Sequence, residues 1–288
     1  MIKASELITN PDGSIYHLKL LPHEISDTII TVGDQDRVEE VSKHFDKIHF
    51  QKSSREFCTH TGELDGKLIT VVSTGIGTDN IDIVFNELDA LVNVDLESRK
   101  VKEQIKPLTF IRIGTSGCLN GSIPVDSFLF SASAVGLDGL ASFYPSRKPD
   151  RSLEAALKEQ LIKLGVALPN LYHQKADSRL LNHFKGDHFT GTTLTCPGFY
   201  GPQGRTIRLK NIMSPILDNL SADAFSGLSF TNFEMETAGI YLMANLLGHR
   251  ALSCNALLAN RASGVFSEKP KQVVNDLIEY CLSKIINL

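Results

Sequence analysis

Apolar positions along this chain follow two periods. Short runs rich in β-branched residues, at 28–32, 67–72, 109–113 and 127–130, are continuous enough to read as buried strands. Elsewhere the spacing is helical. Val38, Val41 and Phe45 share one face of 35–45, and Ile81, Val84, Phe85, Leu88 and Leu91 share one face of 81–92. Leu153, Ala156, Leu157, Leu161 and Leu164 do the same over 152–164, and 272–286 ends the pattern with another amphipathic helix. Strands alternating with helices predict an α/β fold around a mixed sheet. No repeat, low-complexity tract or Pro/Gly-rich linker interrupts the pattern, so residues 1–288 are read as a single domain. The charged stretch 93–106 (NVDLESRKVKEQIK) stands apart and is expected to be a solvated helical insertion. Gly201, Pro202 and Gly204 mark a loop, and 262–270 is a polar loop long enough to serve as a lid.

Composition narrows the class. With 42% hydrophobic and 22% charged residues, the chain can build a sizeable core and is not of disordered type. A net charge of −4 with scattered basic residues leaves no electrostatic footprint for nucleic acid. No apolar run approaches the roughly 18 residues of a membrane span. The first residues lack the charged-then-apolar order of a secretory signal. The five cysteines form no CxxC pair and the nine histidines no HxxxH. Structural zinc and a disulfide framework are therefore not expected, and a cytoplasmic location is.

The candidate chemistry is concentrated in a few places. In Asn232-Phe233-Glu234-Met235-Glu236-Thr237-Ala238-Gly239, two carboxylates flank a methionine where a loop is expected to enter an apolar helix. A carboxylate there is costly unless paired. The hydroxyls of a ribose suit two such acceptors; a helix N-terminus that favours acidic residues is the other reading. Val32-Gly33-Asp34-Gln35-Asp36-Arg37 links a strand to a helix, where glycine, helix N-terminus and arginine can receive an anion or make an ordinary turn. Ser73-Thr74-Gly75-Ile76-Gly77 and Ile113-Gly114-Thr115-Ser116-Gly117 read as two further strand ends, where ligands gather in open α/β sheets. Arg112 lies within an apolar strand and must meet either an ion-pair partner or a ligand; with Thr115 it can seat a phosphate. Phe199, Gln203 and Arg205 offer a ring, an amide and a guanidinium, a set that can read a pyrimidine or rim a loop.

These motifs, in this order, resemble the nucleoside phosphorylase family, in particular its uridine phosphorylase branch. The resemblance runs from about Ile15-Tyr16-His17-Leu18 to the end of the chain and also takes in Ser54-Arg55-Glu56-Phe57 and Asn260-Arg261. It implies that family's fold, a mixed sheet partly closed into a barrel and flanked by helices. It further implies reversible phosphorolysis of uridine, with deoxyuridine and thymidine as related substrates, and inorganic phosphate as co-substrate without other cofactor. Gly33, Arg37, Arg112 and Thr115 would hold phosphate, with Arg55 from a neighbouring subunit. Glu234, Met235 and Glu236 would hold the ribose, and His17 of the same neighbour would reach its 5′-hydroxyl. Phe199, Gln203, Arg205 and Arg261 would hold the base, with Ser116 and Gly117 behind it. Arg205, Gln203, Glu236 and Arg112 would carry the catalysis. The resemblance also implies a homo-oligomer, a dimer or a hexamer built from dimers, with nucleoside and phosphate as partners and neither nucleic acid nor membrane. Some family members bind potassium at the position of Glu56. Departures are Gln35 and Val32 where the family has prolines, the order Gly201-Pro202, and Asn80 where potassium-binding relatives carry serine. Purine-selective relatives place an aspartate near Asn260; Asn260-Arg261 instead favours uracil. A purine nucleoside phosphorylase, a nucleosidase and a non-catalytic nucleoside-binding protein are the alternatives.

Overall fold

The β-branched runs become the interior of an eleven-stranded sheet in the computed structural model, which describes residues 1–145, 149–163, 165–166, 170–222 and 227–288. In chain order the elements are β1 (Thr28–Val32), α1 (Asp36–Ser42), β2 (Lys47–Ser54), β3 (Phe57–Leu64), β4 (Lys67–Ser73), α2 (Thr78–Asn93), β5 (Val94–Asp95), β6 (Lys100–Val101) and β7 (Thr109–Cys118). Then follow β8 (Phe128–Gly136), α3 (Arg151–Lys163), β9 (Tyr172–Lys175), α4 (Ser178–His183), β10 (Phe189–Thr195), α5 (Ser214–Ala222), β11 (Phe230–Glu234), α6 (Thr237–Leu247), β12 (Arg250–Asn260), β13 (Val265–Phe266) and α7 (Pro270–Ile285).

Five strands close on one another. β7 pairs with β12, β12 with β8, β8 with β10, β10 with β11, and β11 returns to β7. Strands β1, β4, β3 and β2 continue outward from β7 as an open wing. The expected mixed α/β sheet, partly barrel-like, is therefore present. Closure leaves its strands fewer unpaired edges.

Helices cover the sheet on several sides. Thr237–Ala244 of α6 are buried throughout, as suits a helix apolar on every face. Gly239 lets α6 come close to α2, since a Cβ there would lie 2.8 Å from Thr78 Cγ2. Phe85 of α2 stacks on Phe110 of β7 at 4.1 Å. On another side, Leu277, Ile278 and Ile285 of α7 pack with Val38 and Val41 of α1 against Ile30, Ile69 and Ile111. Each such fully buried side chain contributes roughly 1.5–3 kcal/mol relative to exposure. Leu157 and Leu161 of α3 join a third cluster; Leu164, expected on the same face, lies outside the described residues.

Three local expectations are corrected. The stretch 93–106 is not helical: α2 ends at Asn93, and Val94–Asp95 pairs antiparallel with Lys100–Val101 in a hairpin. Asn93 closes this excursion, donating to Lys106 O (3.1 Å) and accepting from Lys106 N (2.7 Å). The chain reverses where Asp95 accepts Ser98 N–H and Arg99 takes φ 53°. Secondly, the strand does not end before 114–117; β7 stays paired with β12 as far as Cys118↔Asn260, with a register shift between Leu257 and Ala259. Thirdly, Asn232 to Glu234 belongs to β11 rather than to a loop. Among the described residues no helix is long and apolar enough to cross a membrane.

Candidate active site

A cavity of about 530 Å³ opens where the wing joins the barrel. Its walls come from the residues after β1 (Gly33, Asp34, Arg37), from β7 (Arg112, Thr115, Ser116, Gly117), from the loop after β10 (Phe199, Gln203, Arg205) and from the β11–α6 junction (Glu234, Met235, Glu236). Twelve of the predicted site residues are thus brought together. Ile76 of the 73–77 motif and Phe266 also line it, as do Leu258 and Ala259, which were not anticipated. Phe266 lies in the expected lid segment, which pairs onto β12 through β13. The volume suits a small-molecule ligand.

At the centre is Arg112, buried to 6% exposure. Its Nη2 lies 2.7 Å from Glu236 Oε2 and 3.1 Å from Glu234 Oε2, and its Nη1 donates to Asn255 Oδ1 at 2.9 Å. The side chain folds back over Gly114, where any Cβ would collide with the guanidinium. Glycine at 114 is therefore required by Arg112 rather than by a turn. Burial alone would lower the Arg112 pKa, but the two carboxylates outweigh it and hold the guanidinium above its usual range. At Glu236 burial wins instead, raising the carboxyl despite Arg112, with Glu234 pushing the same way.

The two carboxylates have different roles. Glu234 accepts from Thr195 Oγ1 (2.7 Å), Glu236 N (3.0 Å) and Thr237 N (2.9 Å). It caps the start of α6 from two residues upstream, and its oxygens are committed. Glu236 accepts from Gly77 N–H at 2.9 Å through Oε1 and from Arg112 through Oε2, and keeps lone pairs for another donor. The 73–77 glycine motif thus aims an N–H at Glu236 rather than at a ligand. Sequence reasoning missed Asn255 and Thr195. Asn255 does carry a signal, an amide inside the apolar run 251–258.

Arg37 lines the same cavity. Its Nε is buried and has no hydrogen-bond partner among the described residues. Burial, then the neighbouring Arg112, lowers its pKa. A buried guanidinium nitrogen with no acceptor among the described residues, beside Gly33 and Thr115 in one cavity, can receive an anion.

The opposite wall is a stacked polar cluster. Arg205 lies 3.7 Å above the Phe199 ring centroid, donates to Phe199 O at 2.7 Å, and donates to Gln203 Oε1. Burial, then Arg261, lowers its pKa. Gln203 is 3% exposed, so its amide is fixed rather than solvated. The loop turns at Gly204 (φ +68°), where a Cβ would lie 3.0 Å from Arg261, Leu217 and Ser214 atoms. Arg261 faces this turn and not the cavity, donating to Gln203 O (2.9 Å), Gly204 O (3.0 Å) and Ser214 Oγ (3.1 Å). The expected base contact at Arg261 is therefore replaced by a brace for the loop, because carbonyl oxygens take up its guanidinium. Gly117 packs under Phe233, and Ser116 Oγ accepts from Asn232 at 3.0 Å.

Like Arg261, the predicted residues Arg55, His17 and Glu56 do not line the cavity. Arg55 has φ 56°, is exposed, and sits 5.6 Å from the Tyr16 ring centroid. His17 packs edge-on against the same Tyr16 ring at 4.7 Å. The chain thus holds His17 and Arg55 together at its own surface, outside its own cavity. Glu56 approaches Gly75 beside Asn80, but Asn80 presents an amide donor, directed at Ile76 O (3.4 Å). Asn260 is also occupied elsewhere, donating to Asn120 O and Ile123 O at 2.9 and 2.8 Å.

Known proteins share this fold and much of this sequence. The Phosphorylase superfamily model matches residues 27–282. The chain is 29% identical over 257 residues to uridine phosphorylase of Thermococcus kodakarensis, covering 89% of this chain and 81% of that one. It is 28% identical to uridine phosphorylase of Escherichia coli, covering 86% and 87% respectively. Its fold superposes with a TM-score of 0.86 on a Trypanosoma brucei nucleoside phosphorylase described as showing uridine phosphorylase activity, at 26% identity and covering 98% of this chain and all of that one. With cavity, fold and family model in agreement over nearly its whole length, the chain belongs to the phosphorylase superfamily.

Proposed function

We propose that this enzyme is a uridine phosphorylase, a phosphate-dependent pentosyltransferase that converts uridine and phosphate reversibly to uracil and ribose 1-phosphate. The observation that carries the reading is one cavity in which Arg37, whose buried Nε has no hydrogen-bond partner among the described residues, stands beside Arg112 and Thr115, with the Gln203–Arg205 pair on another wall. The relatives named for uridine support the choice of base.

In this reading phosphate takes the Arg37 and Arg112 side of the cavity and attacks C1′. Arg37 and Arg112 bring two positive charges against the carboxylates of Glu234 and Glu236, so one copy alone leaves no net positive charge for a dianion. A second copy supplies it: its Arg55 joins the phosphate and its His17 the 5′-hydroxyl. The homo-oligomer is then part of the active site. Glu236 accepts from the ribose hydroxyls and orients C1′ toward phosphate. As the C1′–N1 bond breaks, its electron pair passes to the uracil ring. Arg205 and Gln203 stabilise the developing negative charge on the base, while phosphate stabilises the developing positive charge on the sugar.

The base choice is tested with uridine, thymidine, cytidine, inosine and adenosine, each assayed for base release with and without phosphate. A site that donates to a base carbonyl rejects an amino group in its place, so uridine is expected to exceed cytidine by on the order of 10^3-fold or more in kcat/KM. Preferential cleavage of inosine would transfer the enzyme to purine chemistry.

A further inference from the structure

We infer that Glu87 is the positioning residue for His17: it fixes the imidazole in the tautomer whose outward nitrogen, Nε2, accepts a hydrogen bond from the 5′-hydroxyl of a nucleoside held by a neighbouring copy. The inference rests on the uridine phosphorolysis reading above and deepens it. Glu87 projects from α2 beneath the N-terminal segment, next to the fully buried Leu88. Its carboxylate accepts His17 N–H at 2.9 and 3.0 Å, accepts Leu18 N–H at 2.9 Å, and lies 2.6 Å from His17 Nδ1. A group already receiving two backbone N–H donors is an acceptor, so Nδ1 must carry the ring proton and donate it to Glu87.

In the neutral form of the ring the one acceptor left is Nε2, which has no partner among the described residues. Exposure follows the same order, with the His17 side chain at 26% and Glu87 at 12%. The backbone of His17 and its ring are thus held by one carboxylate, and Leu18, 1% exposed, anchors the next residue in the core. Tyr16 packs on the ring from the side and carries Arg55 against its own ring. A surface histidine without such support would spread its ring over several rotamers and two tautomers. Here the geometry is set before any nucleoside arrives, which lowers the entropy cost of using it.

The test is Glu87→Gln, assayed with uridine and with 5′-deoxyuridine, which lacks the hydroxyl in question. A glutamine amide keeps one acceptor oxygen for the two backbone N–H groups and turns its NH2 donor on Nδ1, which disfavours the tautomer protonated there. KM for uridine is expected to rise about ten-fold, the value of one well-aligned hydrogen bond, with little change in kcat. KM for 5′-deoxyuridine is expected to stay within about two-fold of wild type, because that substrate makes no such bond. Equal losses on both substrates, or no loss on either, would overturn the inference. The wild-type protein offers an independent readout in ¹⁵N spectra of labelled histidine, with the His17 signals assigned through His17→Ala. An Nδ1-protonated ring is expected; an Nε2-protonated ring would overturn the inference even if the Glu87 variant fails to fold. Absence of phosphate-dependent uracil release from either substrate by the wild type would instead overturn the uridine reading, and with it this inference.

Discussion

Replacing Arg112 by methionine is expected to cost both activity and stability. The guanidinium sits between Glu234 and Glu236, which are 5% and 6% exposed. Its removal leaves two buried carboxylates without a counter-charge, which typically costs about 3–5 kcal/mol. For a chain of this size that lowers Tm by roughly 10 °C. The loss also removes the guanidinium that faces the anion and holds Glu236, so kcat/KM is expected to fall on the order of 10^3-fold. The stability deficit has a pH signature. Glu236 already has a raised pKa in the folded protein, mainly from burial, and Arg112 opposes that rise. A carboxyl with a raised folded pKa stabilises the fold below its unfolded pKa, and that contribution is lost as pH rises through the folded value. Without Arg112 the folded value moves further up. The gap between variant and wild type is therefore widest at neutral pH and narrows as pH falls toward the carboxylate range. Thermal melts across that range check this; a gap independent of pH would mean that the buried carboxylates are not the cause.

Arg205→Ala is expected to separate the two ends of the cavity. Arg205 touches Phe199 and Gln203 and has no contact with Arg37 or Arg112 in the hydrogen-bond network. Removing a preorganised donor from the site where charge develops costs on the order of 10^2–10^3-fold in kcat. Phosphate affinity should change by less than about two-fold, since the cations on that side are intact. Steady-state kinetics with phosphate varied at saturating uridine reads both quantities. Unchanged turnover would remove Arg205 from the chemistry, and a matched loss of phosphate affinity would show that the two ends are not independent.

Legibility from sequence followed burial. Strand β1 has the bounds its β-branched run implies, and α2 and α7 follow their apolar stripes closely, because those patterns encode a face turned to the core. The β2–β3 hairpin was less visible, since β2 is exposed along most of its length and carries Lys47, His49 and Lys52. The 93–106 stretch misled because its charge suits a solvated helix as well as a hairpin; what decides is Asn93, whose amide bridges to Lys106 thirteen residues away. Such a contact has no local period.

The site was legible where a charge conflicted with its surroundings. Arg112 within an apolar strand and two glutamates before an apolar helix each demanded a partner, and they are partners of one another. The division of labour was harder to read. Glu234 is committed to the α6 N-terminus and Arg261 to the Gln203–Gly204 turn, and both depend on backbone groups brought in by folding. Glu87 gave no signal, because a glutamate on an amphipathic helix reads as solvated until the N-terminal segment is laid across it.

The central claim is that phosphate is the nucleophile. It is tested most directly by the rate of uracil release from uridine as phosphate is raised from none to saturation. The expected result is no release without phosphate, a saturable rise as phosphate is added, and ribose 1-phosphate formed in step with uracil. Uracil released at the same rate without phosphate, with free ribose as the sugar product, would contradict the account.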